Sequence, residues 1–550
     1  MKVRFTIRVR GLWCDLPMNA TGRNVNRRLR AVAAAVVVCA AAAVLVAFPP
    51  SGAPGASAMT RDGSERAARH RRTTTTTARP RSTTTTAKPR TTTTTAKPRT
   101  TTTRPSTTTT TVPTTTTVPT TTTVPTTTTV PTTTTVPTTT TAPANLVVWW
   151  VSPTGSDTNP GTSRQLALRT LAEAWRRIPM STPLTRGVRV NIAAGTYGRD
   201  TLPAYLESRW GSPTAPIELV AVDGPRTAVL LGDLNVFDVR SLLVDGLRIA
   251  PGGDAFHCER CTELTLRRVE LDGGTRQAHE TLKVNQSTDV VVEDSDIHGA
   301  WDNAIDFVAV HGGRIARNRI HDADDWCAYT KGGSVDLVVE DNEIFDCGTG
   351  GFTAGQGTGL EWTMAPHFTY EAERITVRRN RIHDTWGAGL GVNGGSDIVM
   401  SGNTLERVGA RSHLIEVTFG ARGCDGDTAT CRARLAAGAW GTDARDDGTN
   451  FTRIPNRNVR IEGNTIDNPP DRPSAWQHFF VPSAWTAAQP GTAANPGPAF
   501  ADDGLVIRGN TIRNGGLSMS LGVGGEDSGC GPTNPTCNVT QLLRNNTFLP

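Results

Sequence analysis

Two lysines open the chemical reading of this chain. From Asn145 to Pro550 there are 37 basic residues, and only Lys283 and Lys331 are lysine. Arginine keeps its charge in any protein setting. A lysine that is desolvated or placed beside other cations gives up its proton and can act as a Brønsted base. Both lysines lie in one acid-rich stretch. HETLKVNQS (279–287), AWDNAIDFV (300–308) and DADDWCAYTKGG (322–333) carry Glu280, Asp302, Asn303, Asp306, Asp324 and Asp325. Asp302, Asp306, Asp324 and Asp325 form an oxygen-only donor set, the kind that suits Ca²⁺ with its six to eight oxygen ligands. The same residues also suit solvated corners, where Asp is favoured anyway. Downstream, Gln356, Asn393 and Arg411 continue a polar line, and RSHLIE (411–416) sets His413 and Glu416, two further catalytic candidates, on a strand or its edge.

These residues need an element that brings distant segments together, and a repeat supplies it. LTLRRVELDG at 264 returns as VVVEDSDIHG at 290, GRIARNRIHD at 313, LVVEDNEIFD at 337 and ITVRRNRIHD at 375. It recurs as IVMSGNTLER at 398, VRIEGNTIDN at 459 and LVIRGNTIRN at 505. Each copy reads as a short strand, a polar corner and a second short strand. The sixth position is Val269, Ser295, Asn318, Asn342, Asn380, Asn403, Asn464 and Asn510. The shortest spacings are 23 to 26 residues, and longer gaps mark coils with insertions. One unit cannot bury its apolar face alone, but units stacked at about 4.8 Å share one core. The repeated Asn then forms a ladder, and Asn tolerates a left-handed corner.

Alignment on that ladder puts Lys283, Asp306 and Thr330 in one row, each twelve residues before the sixth position. One extra residue in the third coil would put Tyr329 or Lys331 there instead. A row holding Lys and Asp must face solvent.

The ends of the chain read differently. LRTLAEAWRRI (168–178) sets Leu168, Leu171, Trp175 and Ile178 on one helical face and suits a cap over the first coil. Residues 1–30 are basic. Residues 31–58 hold an apolar run, 31–48, followed by small residues, and read as a cleaved signal peptide or a signal anchor. Either form contacts the membrane during export and places the remainder outside the cell. Residues 59–144 are a disordered Thr/Pro-rich linker, whose low-complexity part, 73–144, forms an extended stalk on the order of 200 Å long at about 3.1 Å per residue. The folded part spans 145–550. Met1 to Ala144 holds 20 basic and 3 acidic residues, which leaves 37 and 48 for the remainder, a net −11. Such a domain is a poor nucleic-acid partner. Its eight cysteines fall as close pairs, Cys258/Cys261, Cys327/Cys347, Cys424/Cys431 and Cys530/Cys537, and read as local disulfides.

The Asn-ladder repeat and the opening VSPTGSDTNPGT with LRTLAEAW resemble the pectate-lyase-like superfamily of right-handed parallel β-helices. The resemblance covers most of 145–550 and implies an all-β solenoid, monomeric, that handles a polysaccharide outside the cell. It implies a lyase acting on a uronate-containing chain by calcium-assisted β-elimination. Asp302, Asp306, Asp324 and Asp325 would then hold Ca²⁺, with Lys283 or Lys331 as the base. Glu280, Asn303, Tyr329, Gln356, Asn393 and Arg411 would bind substrate, and Trp301 and Trp326 would stack on sugar faces. NAID (303–306) with DDWC (324–327) also resembles the carboxylate motifs of polygalacturonases, a glycoside-hydrolase alternative. Trp326 interrupts the Asp-Asp-Cys run, and GTGGFTAGQGTG (348–359) stands where that family has Gly-His-Gly. A non-catalytic carbohydrate-binding surface protein is the third reading.

Overall fold

The computed structural model describes strands 2–9 and 12–19, then residues 146–441, 452–476, 479–481, 502–515, 523–525 and 539–550. The chain divides into two compact units, Met1–Thr129 and Val130–Pro550. In the first, Lys2–Val9 pairs antiparallel with Leu12–Asn19, a hairpin within the stretch read from sequence only as a basic leader. The apolar run 31–48 and the Thr-rich stalk lie outside the described residues. Among the described residues no helix is long and apolar enough to cross a membrane.

The second unit is a stack of coils. One coil shows the plan: strands Trp326–Lys331, Ser334–Glu340 and Glu343–Cys347. Each pairs in parallel with its counterpart on the next coil, Gly350–Gly355, Ala372–Arg378 and Arg381–Thr385. The ten-residue repeat is the second and third strand of each coil with the corner between them. The first strand, which carries the chemical residues, lies outside that repeat. Alternate Val, Leu and Ile side chains point inward, so Val292, Ile315, Val339 and Val377 line one continuous core.

The ladder holds the corners. Asn318, Asn342, Asn380, Asn403, Asn464 and Asn510 are at most 2% exposed. Asn380 shows the rung: its Oδ1 accepts from the backbone N–H and the Nδ2 of Asn342 at 3.0 and 2.9 Å. Its Nδ2 donates to Val339 O at 2.9 Å and to Asn403 Oδ1 at 3.0 Å. The ladder begins where Ser295 N–H donates to Asn318. It runs on to Asn546, a rung that the sequence repeat had not revealed.

The left-handed corner does not fall on the Asn. It falls on the residue before it: Arg268, Asp294, Arg317, Asp341 and Arg379 have φ between 54° and 57°, and Gly402, Gly463 and Gly509 between 63° and 65°. The amide must point inward to meet its neighbours, so the preceding residue makes the turn and points out. There Arg379 and Asp341 pair at 2.8 Å, and Arg317 and Asp294 at 2.7 Å.

At the first coil, Leu171–Arg176 forms a helix whose N-cap Thr170 accepts from Glu173 N. The four residues read as one apolar face, Leu168, Leu171, Trp175 and Ile178, are all buried. Disulfides join Cys258 to Cys261, Cys327 to Cys347 and Cys424 to Cys431. Cys530 and Cys537 lie outside the described residues.

Asn380→Leu removes one rung and leaves the Asn342 N–H buried without its partner. At about 1–3 kcal/mol for an orphaned buried group, the expected loss is about 1–3 kcal/mol. Urea unfolding checks it, and an unchanged midpoint would show that the ladder contributes nothing.

Candidate functional site

The first strands of successive coils stack into a sheet whose outer face carries one polar row. Cα partners run Asn235, His257, Lys283, Asp306, Tyr329, Thr353, Gly391 and Glu416. Tyr329, and not Thr330, is therefore the neighbour of Asp306. Thr330 pairs with Phe307 and lies fully buried on the core side. The displaced residue sits in the Gly332–Gly333 turn: Val308 to His311 is three steps, whereas their partners Lys331 to Val335 are four apart. Both glycines have positive φ, 70° and 85°, which such a turn needs.

The row points away from the core, yet it is not open to water along its length. Asp306 is 1% and Tyr329 2% exposed. Here the expectation of a solvent-facing row fails, because a Trp and an added wall cover it. Trp326 packs with Tyr329 and Ala388. Its indole lies over Gly350 and Gly391, where an added Cβ would come within 2.6 Å of the ring. The wall is a three-stranded sheet, Gly357–Gly359 parallel to Gly420–Gly423 and that strand antiparallel to Thr452–Ile454. The Cys424–Cys431 disulfide packs against Leu360 beside it. Gln286 Nε2 ties the wall to the coil stack through Thr363 O at 3.1 Å. A fully buried ion pair, Arg422 Nε to Glu371 Oε1 at 2.7 Å, anchors it. The other Glu371 oxygen accepts from Gly332 N–H at 3.0 Å, directly after Lys331.

The two lysines meet different partners. Lys283 Nζ lies 2.7 Å from Glu280 Oε1 and 3.3 Å from Asp306 Oδ2. Burial pulls its ammonium down, but Asp306 and Glu280 outweigh burial and hold it above the ordinary lysine range. It therefore keeps its proton, against the sequence expectation of a lysine ready to lose one. Lys331 Nζ donates instead to two neutral groups, Tyr329 Oη at 3.0 Å and Gln356 Oε1 at 3.0 Å. Its ammonium also sits 4.3 Å from the Tyr329 ring centroid. Burial first, then the charges of Asp306 and Glu280, push the Tyr329 phenol well above its usual range, so it stays neutral.

Asp302, Asp324 and Asp325 have dispersed partners. Asp302 Oδ2 lies 3.2 Å from His279 Nε2, and Asp324 pairs with Arg276. Burial raises Asp325, opposed by Thr349 and reinforced by the neighbouring Asp302. Among the described residues no three of Asp302, Asp306, Asp324 and Asp325 converge. Because Lys283 already pairs with Asp306 and Arg276 with Asp324, the set does not fit the oxygen cage of a calcium ion.

The other expected residues spread along the face. Asn303 is fully buried, its Nδ2 donating to Trp326 O at 2.7 Å. Asn393 accepts from Thr353 Oγ1 at 3.0 Å. Glu416 lies three steps beyond Tyr329, its carboxyl raised by burial. Trp301 is half exposed beside His279, with ring centroids 4.6 Å apart. At the far corner, Arg411 stacks on Trp386 at 4.0 Å and His413 lies against Trp476 at 5.3 Å.

Three residues of the site escaped the sequence reading. His257 occupies the row beside Lys283, its imidazole lowered by burial and then by that cation. His279 binds Glu280 Oε2 at 2.6 Å. Asp425, on the wall, has a carboxyl raised by burial and opposed by nearby Lys331. The strand alternation around AFHCER was the one signal for His257. Nothing local marks Asp425, because an insertion delivers it.

The contacts of His279 with Asp302 and then Glu280 raise its imidazole to about 10 from 6.5. A folded-state value above the unfolded one stabilises the fold fully below about 6.5. That contribution is lost as pH rises through about 10. In NMR titration the His279 ring should stay protonated at pH 8, and Asp302→Asn should return its midpoint toward the ordinary imidazole range.

The family model of the right handed beta helix region matches residues 232–363. No curated protein matches the chain. Among solved structures, the A-module of a mannuronan C-5 epimerase from Azotobacter vinelandii is similar at 15% identity and TM-score 0.38, over 62% of this chain and 90% of that one. A mannuronic acid specific family 6 polysaccharide lyase from human gut microbiota is similar at 12% identity and TM-score 0.39, over 68% and 82%. A GH136 lacto-N-biosidase from Eubacterium ramulus is similar at 10% identity and TM-score 0.39, over 73% and 66%. At such identities a likeness concerns the path of the backbone and not the chemistry. With the parallel pairing of equivalent strands from coil to coil, that match over 232–363 gives the second unit the fold of a right-handed parallel β-helix.

Proposed function

We propose that this protein cleaves an acidic, uronate-containing polysaccharide by β-elimination, and that it works outside the cell. The observation that carries the reading is the unequal setting of the two lysines on one sheet face. Lys283 is locked between Glu280 and Asp306 and serves as a fixed cation. Lys331 faces a phenol and an amide, with no carboxylate in direct contact among its hydrogen-bond partners.

Elimination from a uronate needs three acts. A cation faces the sugar carboxylate and makes the neighbouring C–H more acidic. A base removes that proton. An acid protonates the oxygen that leaves. In this reading Lys283 supports the first, the Lys331 side chain performs the second, and the neutral Tyr329 phenol performs the third. The proton taken by Lys331 then returns to the Tyr329 oxygen across their 3.0 Å contact, which restores both groups. Gln356 and Asn393 offer polar contacts to the chain. No step passes through calcium, since Asp302, Asp306, Asp324 and Asp325 do not converge.

Three disulfides among the described residues support an oxidising compartment, in keeping with an exported domain. A second reading rests on Asp325, whose carboxyl is raised by burial and by Asp302. Such a pair offers an acid and a base to a glycoside hydrolase.

The product separates the readings. Elimination yields an unsaturated sugar end that absorbs ultraviolet light, whereas hydrolysis yields reducing ends without it. Lys331→Met and Tyr329→Phe should each lower cleavage by about 10²-fold or more. Binding should persist in both, and circular dichroism should be unchanged. Full activity in Lys331→Met would remove the lyase assignment.

A further inference from the structure

The corner before the site strands carries a column that the catalytic reading does not use. Ala300, Ala323, Cys347 and Thr385 are successive Cα partners, so the residues after them, Trp301, Asp324, Gly348 and Trp386, stack in the same order. Trp301 and Trp386 are each 50% exposed, unlike Trp326 at 3%. They stand three coil steps apart, about 14 Å at the ~4.8 Å spacing of paired strands. Trp301 belongs to the coil of Asp306, and Trp386 to the coil of Gly391, two beyond Tyr329. The positions between them, on the coils of Tyr329 and Thr353, hold only Asp324 and Gly348. Two flat apolar surfaces thus flank the Arg276–Asp324 pair and Gly348, on the coils that carry the proposed reacting groups.

Each indole has a cation against it, and the two cations differ. His279 beside Trp301 is already matched by Glu280 and Asp302 at 2.6 and 3.2 Å. Arg411 lies 4.0 Å from the Trp386 centroid and forms no ion pair among the described residues. In a domain so rich in matched Arg–carboxylate pairs, that guanidinium keeps its full bidentate capacity for an incoming carboxylate.

We propose that Trp301 and Trp386 are stacking posts for two sugars of one polysaccharide chain lying along the coil stack, and that Arg411 makes the Trp386 post a subsite for an acidic sugar. The proposal takes the place of the reacting sugar from the preceding section, but it does not depend on the reaction. Trp301, with its neighbouring charge compensated, accepts a ring of either kind. Trp386 with Arg411 selects a carboxylate, so recognition of acidic sugars reaches beyond the unit that reacts.

The test uses the full chain carrying Lys331→Met to prevent turnover. Hexamers of galacturonate, mannuronate and guluronate, with their carboxyl-reduced forms, are titrated by calorimetry. At least one acidic hexamer should bind about tenfold tighter than its reduced form. Arg411→Gln should weaken that acidic hexamer about ten- to hundredfold and leave the reduced form within about twofold. Trp301→Ala and Trp386→Ala should each weaken both forms by about three- to tenfold. An unchanged affinity in Arg411→Gln, no effect of either Trp variant, or no binding of any acidic hexamer overturns the proposal. Unsaturated product from the wild type together with unaltered binding in these variants would sink the subsite and spare the lyase reading. Charge-selective binding lost in Arg411→Gln, without any unsaturated product, would do the reverse.

Discussion

Everything in the second unit depends on equivalent strands pairing in register from coil to coil. That pairing satisfies backbone donors and acceptors between neighbours and brings residues two dozen positions apart to within about 4.8 Å of each other. The Asn rungs make the register specific. Each amide bonds both to the next rung and to a main-chain carbonyl of a neighbouring coil, so a slip by one residue would bury several unpaired polar groups. The division of labour at the corner follows from the same need. The Asn turns inward to bond, and its predecessor adopts the left-handed conformation and carries the charge outward.

The outer sheet face uses this regularity for a second purpose. A rigid row lets side chains of opposite charge be placed one coil apart without loop flexibility. Glu280, Lys283 and Asp306 form such a set, and their burial makes the mutual dependence strong. An ammonium taken out of water alone would shed its proton; set between two carboxylates it keeps it. Lys331, one strand further on and two residues past Tyr329, has a phenol and an amide as its hydrogen-bond partners instead. Small differences of register therefore give the same residue type two different sets of partners.

The wall shows how a solenoid acquires a closed surface. Insertions after Gly355 and after Thr418 leave the coil path, pair with each other, and are fastened by the Cys424–Cys431 disulfide and the buried Arg422–Glu371 pair. Glu371 bonds the wall and the Gly332 amide with the same carboxylate, so the wall and the end of the Lys331 strand are held in one arrangement.

The sequence by itself determined the solenoid, the period, the ladder, three of the disulfide pairs and the neighbourhood of both lysines. It could do so because a repeat writes the same local physics many times: alternating apolar residues, a corner and an Asn. Only the tertiary structure decided which residue faces which. Tyr329 rather than Thr330 meets Asp306 because one residue is absorbed in the Gly332–Gly333 turn, a shift invisible in a pattern anchored on the Asn eleven or more positions away. The carboxylates that looked like one cage are drawn apart by His279, Arg276 and Lys283, partners that sequence distance conceals. The covering of the row, and the arrival of Asp425 beside Lys331, come from insertions with no repeat of their own, and long-range placement of that kind leaves no local signature in the chain.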